Sequence, residues 1–374
     1  TLGGDDGIAI AYILAILASN DIPHPPIEAL LTADEEIGMI GVNHLDASCL
    51  KGKQLINIDS EKEGILIISC AGGVRAFCEL LMRYIASDLQ TDRFYTLSIH
   101  GLRGGHSGID INKRRKNAIK VMGRLLEYIS RRCQIHVSSI NGGGKENAIP
   151  KSCSAVVATN VYSVDLLNEA VADFTRILKT EVISLEPDIS ITIDKCQSCD
   201  YYTDADSTRK LIFALMQIAD GIQAMSPDIP DMVQTSMNLG TAYTDERGLI
   251  LKYLVRSNAA AGKQKSIENL VSFIEYLDGK VEFTSDYPAW EYRMNSPLRD
   301  VMVSAYKDCY ADAPLVQSIH AGLECGILSS KIPDADIISF GPDIEFVHTP
   351  EERLNIESVR RSWYYLLEVL KQLK

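Results

Sequence analysis

Residues 32–41 read TADEEIGMIG and set Asp34, Glu35 and Glu36 side by side, after the apolar run 27–31 and ahead of a glycine. Two further acids share this setting. Asp5, in GGDDG, sits at a turn that opens an apolar helix, and Asp59, in LINIDSE, follows an apolar strand. In an open α/β sheet the carboxyl ends of the strands border the ligand crevice, so these acids are expected to converge. Converging carboxylates raise one another's pKa, a penalty that a bound divalent cation reverses. Taken singly, each acid reads as a turn residue or helix cap. Taken together they read as a metal site. His348, in EFVHTPEER after a predicted strand at 335–340, adds an imidazole in the right topological place for a ligand.

Elements that hold such a cluster are legible as alternating periods. The first part predicts helix 7–19, strand 27–32, a short helical piece near 40–45, and strands 54–58 and 64–70, an α/β layer with a largely parallel sheet. After Gly72-Gly73 the pattern turns to strand pairs with amphipathic helices up to about residue 284. This reads as an inserted α+β domain of two similar halves, without a residue-level repeat. From Tyr287 the first character returns and ends in a helix from Asn355 to Leu373. The expected organisation is a catalytic domain in two parts, 1–73 and 285–374, interrupted by a lid or dimerisation domain at 74–284.

Composition narrows the function. A chain of 374 residues with 46% hydrophobic residues is expected to build two cores. A net charge of −13 argues against nucleic acid or anionic membrane as partner. No apolar run approaches the roughly 20 residues that cross a bilayer. Nine scattered cysteines fit reduced thiols in the cytoplasm, and Cys196 and Cys199, the one C-x-x-C, read as inert. In the inserted domain, Arg256 ends a predicted strand and is the candidate for a substrate carboxylate. The glycine-rich loop around His106 is a plausible ligand contact.

TLGGDDGIA, TADEEIGMIG, LINIDSE, GLRGGHSGIDI, KENAIPK, IHAGLECGIL and GPDIEFVHTPEER, in this order and over the whole chain, resemble the aminoacyl-histidine dipeptidases, which stand with carnosinases and acetylornithine deacetylases among the di-zinc peptidases. The resemblance implies two zinc ions per subunit, with manganese or cobalt as alternatives. Asp5 would bridge them, Asp59 would bind the first, Glu36 and His348 the second, and Glu35 would be the general base. Adjacent acids suit this division, because one is committed to metal while its neighbour takes a proton from the attacking water. The resemblance also implies that His106 helps hold the oxyanion with Asn147 assisting, and that Glu324 lies near the substrate, where it could bind the free amino group.

The expected activity is hydrolysis of Xaa-His dipeptides, with β-alanyl-histidine among the candidates, in a homodimer formed through the inserted domain. The alternatives are a deacylase of N-acyl amino acids and a catalytically silent homologue acting as a binding or structural dimer. One departure stands out. The family carries an H-x-D ahead of the Gly-rich turn, whose histidine completes the first zinc site, and these residues hold none there; His44-Leu45-Asp46 falls after the acidic pair and reads as coincidence. With no strand ahead of the turn either, the expectation is a chain lacking an upstream segment, with an incomplete first site and weak or absent activity.

Overall fold

The computed structural model describes residues 2–36 and 38–374 and divides them into two compact units. One comprises the chain up to Gly72 and from Tyr287 onward, the other Gly73–Asp286. The fold is mixed α/β.

In the first unit four strands form one sheet in the order Gln54–Asn57, Asp336–Ser339, Ile65–Cys70, Leu315–Ile319. Both outer pairings are parallel, and the two inner strands meet at one antiparallel pair, Ser339 with Ile67. Ile67, Cys70, Ile327, Leu328 and Ile337 make the core beside this sheet. The helix Ile356–Leu373 is started by Asn355, whose side chain accepts from the N–H groups of Glu357 and Ser358, two of the donors a helix start leaves unpaired.

The expected strand at 27–32 is not one: among the described residues no neighbouring strand offers it an edge. Its apolar residues answer to packing instead. Leu30 lies against the core, while the Glu28 carboxylate accepts from Lys51 N and Gly52 N and ties the extended segment down.

The second unit is built on a nine-stranded sheet. Eight strands run in the order Ser190–Lys195, Asp92–His100, Cys153–Asn160, Ile135–Gly143, Val233–Thr244, Gly248–Ser257, Gly72–Leu81, Lys280–Tyr287, with Gly221–Met225 on Val233–Thr244. Helices Ala118–Ser130, Val164–Val182, Ala205–Gln217 and Ala260–Tyr276 supply Leu125, Leu126, Phe174, Leu215 and Ile274 to its core. Val164–Val182 begins after Ser163, a residue type suited to capping, but that side chain makes no capping bond. Val233–Thr244 has no counterpart in the sequence reading. It buries Thr235, Ser236 and Asn238, so polar residues occupy positions where the strand pattern calls for apolar ones.

Candidate active site

Three chain segments distant in sequence meet in the first unit. The apolar helix Gly4–Ala18 has non-helical backbone at Asp5 and Asp6, and regular helix starts only after them. This opened first turn leaves the Asp5 side chain free of the helix surface. The second segment is a tight turn. Asp34 takes a left-handed φ of 59°, which aspartate tolerates better than most residues, and the Glu35 carbonyl accepts from both Gly38 N and Met39 N. Gly41 closes the turn by donating to the Ala33 carbonyl at 2.9 Å, and a Cβ there would run into the Ala33 backbone. Asp34 thus has a conformational task and an exposed side chain. The third segment is the loop of His348, also left-handed at φ 62°.

His348 Nε2 lies 2.7 Å from Glu36 Oε1 and 3.2 Å from Asp5 Oδ2, and the ligand atoms of these three residues all fall within 4.8 Å of one another. Asp59 follows the parallel strand Gln54–Asn57. There Ser60 N donates to the Phe340 carbonyl, and Gly341 leaves room for the Ser60 carbonyl that a side chain would fill.

Acids crowd this end of the unit. Burial pushes the Asp59 carboxyl up to about 7, with the Glu35 and Asp5 charges adding to it. Asp6 rises to about 8 through burial and the nearby Asp59. Burial, then Glu36 and Glu324, raise Glu35, and burial raises Glu324, although Thr32 Oγ1 donates to it at 2.9 Å. For His348 burial works against protonation, but the carboxylates of Glu36 and Asp5 override it and hold the imidazole above its ordinary value. A pair of carboxylates 4 Å apart repels by about 4 kcal/mol at the effective dielectric of a protein surface. The arrangement calls for a cation.

His106, Asn147 and Arg256 belong to the second unit. Gly105–His106 pairs with Ala148–Ile149, Ser107 N donates to the Asn147 carbonyl, and the buried Asn238 amide donates to the carbonyls of Glu146 and Ala148. His106 Nδ1 accepts from Gly108 N and Ile109 N, which leaves the ring proton on Nε2. Burial and then the neighbouring Arg256 charge lower its proton affinity against the opposing Asp110 charge, a balance that favours the neutral ring. Arg256 is itself buried, near the end of Gly248–Ser257. The sequence-predicted residues therefore form two groups: Asp5, Glu35, Glu36, Asp59, Glu324 and His348 in one unit, and His106, Asn147 and Arg256 in the other.

Residues 4–372 match the family described as peptidase family M20/M25/M40. The chain belongs to this peptidase family. It is 34% identical over 373 residues to the cytosol non-specific dipeptidase of Escherichia coli (strain K12), an alignment spanning 100% of this chain and 77% of that protein. The crystal structure of aminoacylhistidine dipeptidase from Vibrio alginolyticus superposes with a TM-score of 0.95 at 35% identity, over 99% of this chain and 76% of that one.

As an M20-family peptidase the chain is a hydrolase whose family chemistry depends on metal. Its residues fit such an ion. Two carboxylates and an imidazole, close enough to share one cation, are the donors that zinc and related divalent metals take.

Two residues escaped the sequence reading. Asp6, beside Asp5, contributes to the acid crowding. Glu352, four residues past His348, is buried, and its carboxylate accepts from Gly3 N, Gly4 N and Asp5 N. Neither had a signal beyond being an acid in a polar loop.

Proposed function

We propose that this M20-family peptidase hydrolyses dipeptides, Xaa-His among them, and that Asp5, Glu36 and His348 hold a divalent cation in its active site, zinc being the first choice. Asp59 and Asp5 would serve a second ion. The convergence of these three side chains on one point, with the half-buried Glu35 next to Glu36 in the chain, carries the reading. A cation bound there polarises the scissile carbonyl and acidifies water.

The rest is the work of the chain's own groups. Glu35, whose proton affinity is raised by burial and by like charges, takes a proton from the attacking water and delivers it to the leaving amine nitrogen. The Nε2–H of His106 donates to the oxygen that gains charge in the tetrahedral state, with Asn147 beside it. Arg256 forks onto the substrate's terminal carboxylate, and Glu324 offers negative charge to its free amino group.

The inserted unit is read as lid and dimerisation domain of a homodimer. Its sheet ends on Lys280–Tyr287, a largely exposed edge strand suited to a second copy. A cytoplasmic location goes with this reading; among the described residues no helix is long and apolar enough to cross a membrane.

The test is a panel of Xaa-His and other dipeptides, assayed with and without added zinc, manganese or cobalt, for the wild type and Glu35→Gln. The substitution is expected to lower kcat by about 10²–10⁴ while leaving the metal content intact. Metal-dependent cleavage at the wild-type rate would remove Glu35 as the base.

A further inference from the structure

The Glu352 carboxylate takes three consecutive backbone N–H groups: Oε1 accepts from Gly4 N at 2.7 Å and from Asp5 N at 3.2 Å, and Oε2 from Gly3 N at 3.2 Å. Such a run of N–H groups makes an anion-binding concavity, here opened by the left-handed Gly3 at φ 78°. The fit is close. Gly4 is buried, and a Cβ on it would sit 3.3 Å from Oε1 and 3.6 Å from the Leu354 side chain. Glu352 itself is only 8% exposed, while its oxygens lie outside the group of atoms that could share an ion.

Its loop is closed on itself. Glu352 N donates to the Thr349 carbonyl, Thr349 Oγ1 to the Phe346 carbonyl, and Glu351 N to Thr349 Oγ1. One short loop therefore presents His348 at one end and grips the Asp5 backbone at the other. His348 Nε2 lies 3.2 Å from Asp5 Oδ2, across 343 residues of chain.

We propose that Glu352 is a positioning residue of the metal centre, a clasp that sets the Asp5 turn at the right distance from His348. The inference rests on the reading of Asp5, Glu36 and His348 as ligands. Glu352→Gln keeps the shape and one acceptor oxygen, but replaces the other oxygen with an amide that cannot accept.

The experiment measures Zn²⁺ and Mn²⁺ affinity of the full chain by competition with a chromophoric chelator, together with the visible spectrum of the Co²⁺-loaded protein. Glu352→Gln is expected to weaken binding by about 10- to 100-fold and to change the Co²⁺ bands, with hydrolysis recovering at excess metal. Thermal unfolding of the metal-free variant verifies that it is folded. Should it unfold, Gly4→Ala, which crowds Oε1 without removing the carboxylate, is expected to weaken binding in the same direction. Affinity within twofold of wild type and an unaltered Co²⁺ spectrum in a folded variant would overturn the clasp. His348→Ala, run in parallel, separates the two readings. If it weakens binding and Glu352→Gln does not, only the clasp falls; if neither does, the ligand assignment falls with it.

Discussion

Asp220→Asn probes an ionisable group remote in sequence from the acid cluster. Asp220 Oδ1 accepts from Leu239 N at 2.8 Å and from Asn117 Nδ2 at 3.0 Å, and Asn117 in turn starts the helix Ala118–Ser130. Burial raises the Asp220 carboxyl from 3.8 to about 6, against the lowering effect of Leu239 N–H, the Lys120 charge and the Asn117 amide. The buried Tyr253 is a further titratable group whose own proton affinity the Asp220 charge raises. Below about pH 4 the folded and unfolded chains both hold the proton. Between about pH 4 and 6 the unfolded chain releases it and the folded chain keeps it, so stability falls as pH rises, and above the folded value the loss is complete. A shift of about 2 units corresponds to about 3 kcal/mol, of which about 2 kcal/mol accrues between about pH 4.5 and 7. Lys120, lowered to about 8 by burial, titrates above that window. An asparagine keeps the acceptor oxygen and has no proton to lose. Urea unfolding of the two proteins across this range is therefore expected to show the variant gaining about 2 kcal/mol on the wild type as pH rises. Parallel curves would mean that the carboxylate ionises as easily folded as unfolded, refuting the argument from burial.

His106→Ala is expected to lower kcat by about 10²–10³ with metal affinity unchanged; a rise in KM alone would refute its role as donor to the oxyanion. Metal uptake at pH 6 is expected to release protons, because Asp59 and Asp6, raised by burial to about 7 and about 8, are protonated there while a bound cation favours their ionised forms. Calorimetric titration of the metal-free protein in buffers of different ionisation enthalpy reads that release, and none at all would count against the acids lying close to the ion.

The acids and His348 were legible because three residue types with one chemical use stood at the ends of apolar segments, and the structure brings Asp5, Glu36 and His348 together. His106 was found only through its glycine-rich motif; its tautomer depends on two backbone N–H groups that no sequence pattern announces. The segment at 27–32 misled because apolar residues serve a core as readily as a ladder, and a strand needs a neighbour that composition cannot supply. Val233–Thr244 was missed for the opposite reason. Its buried Thr235, Ser236 and Asn238 look solvated on paper, and in the fold their polar atoms have partners such as Ser257 Oγ for Thr235 and two carbonyls for Asn238. Glu352 was invisible because its acceptor role is defined by residues at the far end of the chain.

The four-stranded sheet alternates strands from before and after the inserted unit: 54–57, 336–339, 65–70, 315–319. During synthesis the residues of Gly73–Asp286 emerge as one uninterrupted stretch and can fold while translation continues. The other unit must wait. Its early strands have no partners until the late ones leave the ribosome, and the acids at Asp5, Glu35, Glu36 and Asp59 spend that interval hydrated. The proposed metal site can therefore assemble only once His348 has been made, with the whole of Gly73–Asp286 already synthesised.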